Sequence, residues 1–240
     1  MKKELKEITT QKLEEIIGFD FEPKKEKKKV DTVKVNEEIY NKLNNYSSLS
    51  PSEKGEFLEE IVKHILTRSN FKFLEIKDKE RQKYWGDLII MDSIKADVKA
   101  STTYKGKDKL SMDYEYYKKG SDSPYIPQGA DNNFGYLRYL EADMIISVNA
   151  ESKRLYIVKE FKKLSKVLFE QILYLELEGK DRGNDIIDIS INKEDKYKDT
   201  KIVSIAFTDM KKLGVDVISY DIIEEHKKNN LCVGSTQVTV

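Results

Sequence analysis

Asp87, Asp97 and Lys99 are the residues of this sequence whose types and spacing best fit catalytic chemistry. Asp87 directly precedes the apolar run 88–91, and Asp97 lies within the apolar run 94–98. Two carboxylates that reach one point cannot both stay ionised at low cost unless a cation lies between them, and Mg²⁺ and Mn²⁺ prefer oxygen ligands. A lysine beside such a metal can orient water and offset negative charge on a phosphate. This set is typical of a phosphodiester hydrolase.

The two apolar runs predict a β-hairpin with its turn at Asp92 and Ser93. Antiparallel pairing about that turn places Asp87 opposite Val98. The side chains of Asp97 and Lys99 then come within reach of Asp87 if the strands bend or a bulge adjusts their register. We therefore expect the three side chains to converge.

Spacing alone does not distinguish Asp97, because the sequence contains twelve Asp/Glu-x-Lys triplets. Its context does, since an apolar strand carries Asp97 and an amphipathic helix precedes both aspartates. Ser50 and Pro51 predict the start of that helix, with a serine cap and a proline at the first helical position. The helix extends to about Arg68, and its apolar residues at helical spacing predict one buried face: Leu58, Ile61, Val62, Ile65 and Leu66.

This arrangement resembles the PD-(D/E)xK nuclease superfamily, in which a helix glutamate, a strand aspartate and an (Asp/Glu)-x-Lys on the next strand form a metal site. Asp87 matches the strand aspartate, with Gly86 where the name-giving proline would stand, and Asp97 and Lys99 match the second half of the motif. The segment 55–62, Gly-Glu-Phe-Leu-Glu-Glu-Ile-Val, resembles the helix of the Mrr-like and Holliday-junction-resolvase-like branches. The match covers roughly residues 55–101.

The resemblance implies a restriction-endonuclease-like α/β fold, with a central mixed sheet of about five strands flanked by helices. It also implies that Asp87, Asp97 and the carbonyl of Val98 hold Mg²⁺, which Mn²⁺ can replace, and that Lys99 positions the attacking water. Glu59 is the implied helix ligand, for a second ion or a bridging water. Helix geometry agrees, because Glu59 lies at the edge of the apolar face while Glu56 and Glu60 lie on the far side.

Basic and aromatic residues after Lys99 predict contact with nucleic acid. Seven lysines stand against four acids between Lys95 and Lys119, although the alternative of packed strand aromatics remains open for the tyrosines. The expected binding residues are Ser101, Thr102, Tyr104, Lys105, Lys107 and Lys109. We expect most of the segment 104–133 to be loop, with one short strand near 110–114.

Composition restricts the class of protein. The 240 residues include one cysteine, so no intramolecular disulfide can form, and 43 basic and 43 acidic residues give a net charge of zero. Any polyanion site must therefore be a local patch. No apolar run is long enough to span a bilayer, and we expect a cytoplasmic protein without membrane contact. Residues 1–35 predict a helical arm with a basic linker, and residues 36–240 predict the nuclease-like domain.

The leading hypothesis is thus a Mg²⁺-dependent endonuclease that cuts duplex or branched DNA, with a restriction endonuclease as one form of it, and we expect a homodimer. One alternative is a catalytically inactive protein on the same fold that binds nucleic acid or takes part in assembly. Another is a nuclease that acts on RNA or nicks DNA in phage or plasmid replication.

Overall fold

The structure is a computed structural model that describes residues 31–127 and 132–225. The expected helix and basic linker within residues 1–30 lie outside the described residues. The described chain forms six α-helices and ten β-strands. The helices are α1 (Glu37–Asn44), α2 (Pro51–Arg68), α3 (Lys79–Trp85), α4 (Tyr136–Tyr139), α5 (Phe161–Leu177) and α6 (Phe207–Met210). The strands are β1 (Thr32–Val35), β2 (Phe73–Glu75), β3 (Leu88–Ile90), β4 (Ile94–Tyr104), β5 (Lys107–Lys118), β6 (Met144–Asn149), β7 (Arg154–Val158), β8 (Ile187–Asn192), β9 (Lys198–Ala206) and β10 (Val217–Glu224).

The expected α/β class with a mixed sheet and flanking helices is confirmed, but the expected number of strands is wrong. The sheet of the described residues has ten strands, in the order β1-β10-β7-β6-β4-β5-β9-β8, with β3 and then β2 beside β4. The sheet is larger than expected because β1 and β10 extend it at one edge, and β9 and β8 extend it at the other. Residues 32–35 form β1, which pairs parallel to β10, so they belong to the sheet rather than to the predicted arm.

Strand β4 has two neighbours on one of its edges. Residues 94–96 pair with β3, and residues 101–104 pair with β5, while β6 pairs parallel with residues 96–100 on the opposite edge. The sheet therefore forks at residues 97–100. Asp97 and Lys99 lie at this fork.

Hydrophobic packing on both faces of the sheet holds the fork in place. One cluster includes Phe57 and Ile61 of α2 together with Ala96 and Val98 of β4. The other cluster lies under α5 and includes Leu168. Because successive side chains of a strand point to opposite faces, Asp97 and Lys99 point away from α2.

The helix start predicted at Ser50 is confirmed. The Ser50 hydroxyl accepts a hydrogen bond from the Glu53 N–H, and the Glu53 carboxylate accepts one from the Ser50 N–H. This reciprocal capping box satisfies two backbone donors that the first helical turn would otherwise leave unpaired. It fixes the beginning of the helix that packs against β4.

The short strand expected near residues 110–114 forms, but it is longer than expected, because β5 covers Lys107–Lys118. Tyr104 and Lys107 face each other across a two-residue turn, Lys105–Gly106, whose φ angles of 51° and 73° are those of a type I′ hairpin. The returning strand β5 has twelve residues. Its buried residues alternate with polar ones: Leu110, Met112, Tyr114 and Tyr116. This period of two was present in the sequence.

No helix within residues 31–127 and 132–225 combines the length and the apolar content needed to cross a membrane.

Candidate functional site

The predicted hairpin forms, with a register that differs by one residue from the expectation. Leu88 pairs with Ala96, and the Asp87 N–H donates to the Ala96 carbonyl at 2.9 Å. Asp87 therefore approaches Asp97 and Val98 directly, without the bend or bulge that the expected register required.

Asp87 bridges the two strands through its side chain. Its Oδ2 atom accepts a hydrogen bond from the Val98 N–H at 2.7 Å, and its Oδ1 atom accepts one from the Gln82 amide at 2.7 Å. Gln82 belongs to α3, the helix that ends at Trp85 immediately before Gly86 and Asp87. The carboxylate thus completes the hydrogen bonding of β4 where the sheet forks.

Gly86 allows this close approach. Its φ is +87°, and a Cβ atom there would lie 2.7 Å from the Ala96 carbonyl oxygen and 2.8 Å from the Asp97 Cβ. Proline holds φ near −65° and cannot adopt this conformation. The backbone of this chain therefore requires a glycine, and excludes a proline, at position 86.

Asp97 and Lys99 form an ion pair beside Asp87. The Lys99 Nζ lies 2.9 Å from the Asp97 Oδ2, Asp97 is 3% exposed, and the side chain of Lys99 is 32% exposed. Burial raises the pKa of Asp97 to about 6; Lys99 acts to lower it and Asp87 acts to raise it. Burial would lower the pKa of Lys99, but the carboxylates of Asp97 and Asp87 outweigh burial and raise it.

A second Asp-x-Lys triplet on a strand shows how specific this geometry is. Asp199 and Lys201 lie on β9, but Asp199 accepts from the Gly120 N–H and pairs with Lys119. Lys201 pairs with Glu176 instead, at 2.6 Å. The spacing is the same at both places, whereas the neighbouring strands give the two triplets different partners.

The structure does not bring Glu59 into this set. Glu59 lies on α2 and pairs with Lys63 at 3.2 Å, and Lys63 also pairs with Glu75 at 3.1 Å. Asp97 and Lys99 point to the face away from α2. Within residues 31–127 and 132–225, no three His, Cys, Asp or Glu side chains are arranged to hold a metal ion. A metal at Asp87 and Asp97 would therefore be held without Glu59.

The hairpin of β4 and β5 carries the predicted nucleic-acid residues, and the structure divides them. Ser101 is buried at 8% exposure, so its hydroxyl is not available to a phosphate. Thr102, Tyr104 and Lys105 are exposed. Lys107 pairs with Asp209 at 2.9 Å, and Lys109 pairs with Asp188.

The tip of the hairpin combines an aromatic ring with positive charge. Tyr104 is 53% exposed, and the Nζ atoms of Lys105 and Lys109 lie 5.2 and 4.8 Å from its ring centroid. Tyr114 and Tyr116, in contrast, are buried and pack as strand aromatics. The exposed candidates for base or phosphate contact are therefore concentrated at the tip.

Sequence reasoning missed the aromatic residues of α4 beside Lys99. The Lys99 Nζ lies 4.8 Å from the ring centroid of Tyr136, and the Tyr136 hydroxyl donates to the Ser111 carbonyl at 2.8 Å. The ring of Tyr139 packs edge-on against Tyr84 of α3, with the centroids 5.9 Å apart. No local pattern links residues 136–139 to Lys99, because the contact depends on how the chain returns to the fork.

Comparison of the chain with protein-family models, with curated proteins and with solved structures finds no match.

Proposed function

We propose that this chain is a metal-dependent nuclease that hydrolyses phosphodiester bonds in DNA. The observation that carries the proposal is the hydrogen bond from the Val98 N–H to Asp87 Oδ2, which brings Asp87 beside the ion pair of Asp97 and Lys99. Two carboxylates and the ammonium group of one partly exposed lysine side chain thereby meet at the fork of the sheet.

The donor set fits Mg²⁺. This ion usually keeps several waters and is held by one or two carboxylates rather than by a cage of protein ligands. Asp87 and Asp97 would hold it. The Val98 carbonyl is a further donor, because it leaves β4 on the same edge as the Val98 N–H that meets Asp87. When bound, the metal would supply Lewis-acid stabilisation of charge on the phosphate.

Lys99 would supply a positive charge at the site in addition to that of the metal. Its ammonium group lies at Asp97 on a side chain that is 32% exposed, so it can neutralise the negative charge that builds on a phosphate under attack. It can also donate a hydrogen bond that orients the attacking water.

The hairpin tip would hold the substrate backbone. Lys105 follows Lys99 by six residue steps along the strand and into its turn, a distance of about 20 Å. DNA advances about 3.4 Å per nucleotide along its axis, so a segment of about six nucleotides would reach from Lys99 to the tip. DNA is our first choice of substrate because the branches of the superfamily that the sequence resembles act on DNA. A homodimer would place one site at each strand of a duplex and so allow both strands to be cut.

The test is a cleavage assay on supercoiled, linear, branched and single-stranded DNA and on RNA, with Mg²⁺, Mn²⁺ or EDTA. Asp97→Asn and Lys99→Ala are compared with Lys201→Ala, which alters the other strand-borne triplet, and circular dichroism checks the folding of each variant. We expect metal-dependent cutting that Asp97→Asn and Lys99→Ala abolish and Lys201→Ala retains.

The substrate that is cut fastest decides between DNA and RNA, and nicked rather than linear product would identify a nickase. Binding of nucleic acid without cutting under any metal would overturn the proposal. It would favour the non-catalytic binding protein instead.

A further inference from the structure

The ammonium group of Lys99 lies beside an aromatic ring as well as beside the proposed catalytic aspartate. Asp97 Oδ2 lies at 2.9 Å, and the ring of Tyr136 lies at 4.8 Å from the Nζ to the centroid. An ammonium group within about 6 Å of an aromatic centroid is attracted by the negative face of the ring. The ring therefore restricts a long side chain that would otherwise sample several rotamers.

The position of Tyr136 is itself fixed by the fold. Its hydroxyl donates to the Ser111 carbonyl of β5 at 2.8 Å. Gly135, the residue before it, donates to the Tyr114 carbonyl at 2.8 Å, and a Cβ atom on Gly135 would lie 2.3 Å from the Asp113 carbonyl oxygen. The backbone before α4 thus lies directly against β5.

The other end of α4 is attached to the opposite side of the fork. The Glu141 N–H donates to the Tyr84 carbonyl at 2.6 Å, and Tyr139 packs against Tyr84. Tyr84 lies on α3, three residues before Asp87. The four-residue helix α4 therefore joins β5 to the segment that carries Asp87, with Tyr136 facing Lys99.

We infer that Tyr136 is a positioning residue that holds the Lys99 ammonium at Asp97, through its ring rather than through its hydroxyl. This inference rests on the proposed function for its consequence in catalysis, but the contact itself can be measured without any activity. Tyr136→Phe keeps the ring, and Tyr136→Leu removes it while keeping an apolar side chain.

The first measurement is an NMR correlation spectrum of the full chain labelled with ¹³C at the lysine ε-methylene. The Lys99 signal is assigned by its loss in Lys99→Arg. We expect this signal to be displaced upfield by the ring in the wild type and in Tyr136→Phe, and to return to the range of solvent-exposed lysines in Tyr136→Leu.

Tyr40→Leu is the matched control, because the Lys153 Nζ lies 4.6 Å from the Tyr40 ring centroid and Tyr40 is on α1. It should move the Lys153 signal and leave that of Lys99 unchanged. A Lys99 signal that is the same in the wild type and in Tyr136→Leu would overturn the inference.

The second measurement is steady-state cleavage by the same variants with Mg²⁺. We expect Tyr136→Leu to lower kcat by about tenfold and to leave KM unchanged, because tenfold corresponds to the loss of one partly desolvated cation–π contact. We expect the kcat of Tyr136→Phe to stay near that of the wild type. Equal kcat in Tyr136→Leu and the wild type would contradict a role in positioning. If the wild type cuts no substrate, the proposed function is wrong. The NMR signal of Lys99 would still show whether Tyr136 contacts the Lys99 ammonium.

Discussion

The Oδ2 atom of Asp87 accepts a hydrogen bond from the backbone N–H of Val98 at 2.7 Å, between the two motif residues Asp97 and Lys99. This contact has two roles in the same place. It satisfies a strand donor where the sheet forks, and it sets a carboxylate beside the ion pair.

The two roles of Asp87 can be separated by substitution. Asp87→Ala leaves the Val98 N–H unpaired, which should lower the free energy of unfolding by about 1–3 kcal/mol. Asp87→Asn keeps an acceptor oxygen of the same shape and should lose much less stability, yet it removes the charge with which Asp87 would hold the proposed metal. Urea denaturation measures the first effect, and Mg²⁺-dependent cleavage measures the second. Equal stability of Asp87→Ala and the wild type would show that the hydrogen bond contributes nothing.

Gly86 is expected to tolerate no side chain. Gly86→Ala places a Cβ atom against Ala96 and Asp97 at a φ of +87° and should destabilise the chain by at least about 2 kcal/mol. Gly55→Ala is the matched control, since Gly55 lies on α2 and a Cβ atom there would meet no other atom within 4 Å. It should stabilise the chain by about 0.5–1 kcal/mol, because alanine loses less backbone entropy in a helix. Thermal denaturation of both variants should show opposite shifts in Tm.

Lys105 is expected to contribute to affinity for nucleic acid without sequence preference. It is exposed at the hairpin tip, so Lys105→Ala should weaken binding to different sequences alike and reduce the salt slope of log K by about one. Fluorescence anisotropy at several salt concentrations measures this slope. Lys212→Ala is the comparison, since Lys212 pairs with Asp209 at 2.7 Å. An unchanged salt slope in Lys105→Ala would show that the hairpin tip is not part of the surface that binds nucleic acid.

Asp108 gives a prediction for pH. Burial would raise its pKa, but hydrogen bonds from Ser152, Tyr156 and Thr103 outweigh burial and lower it below the ordinary value of 3.8. A lowered pKa in the folded state adds stability that is present above the ordinary pKa and is lost as the pH falls through the folded value. Asp108→Asn should therefore be less stable than the wild type at neutral pH.

The difference for Asp108→Asn should shrink below about pH 4, where the unfolded carboxyl group takes up its proton. Urea denaturation at a neutral pH and at an acidic pH of about 3 measures the two differences. A difference that stays constant between these conditions would show that the charge of Asp108 has no part in it.

Several features of the fold follow from local sequence. The capping signals of Ser50 and Glu53 and the spacing of Leu58, Ile61 and Val62 determine the start and the buried face of α2, because both depend on residues within a few turns of one helix. The turn at Asp92 and Ser93 likewise predicts the hairpin of β3 and β4. The alternation of apolar and polar residues in β5 also predicts a strand, whereas the many tyrosines and lysines of this segment favour a loop.

The sequence by itself determined which residues are chemically able to form the candidate site: Asp87, Asp97 and Lys99. Only the tertiary structure decided that Asp97 and Lys99 pair with each other while Asp199 and Lys201 take other partners. It also decided that Glu59 lies away from them and that Tyr136 lies against Lys99. The physical reason is that these contacts join elements far apart in the chain, where the pairing of strands and the face of the sheet, rather than local spacing, determine which side chains meet.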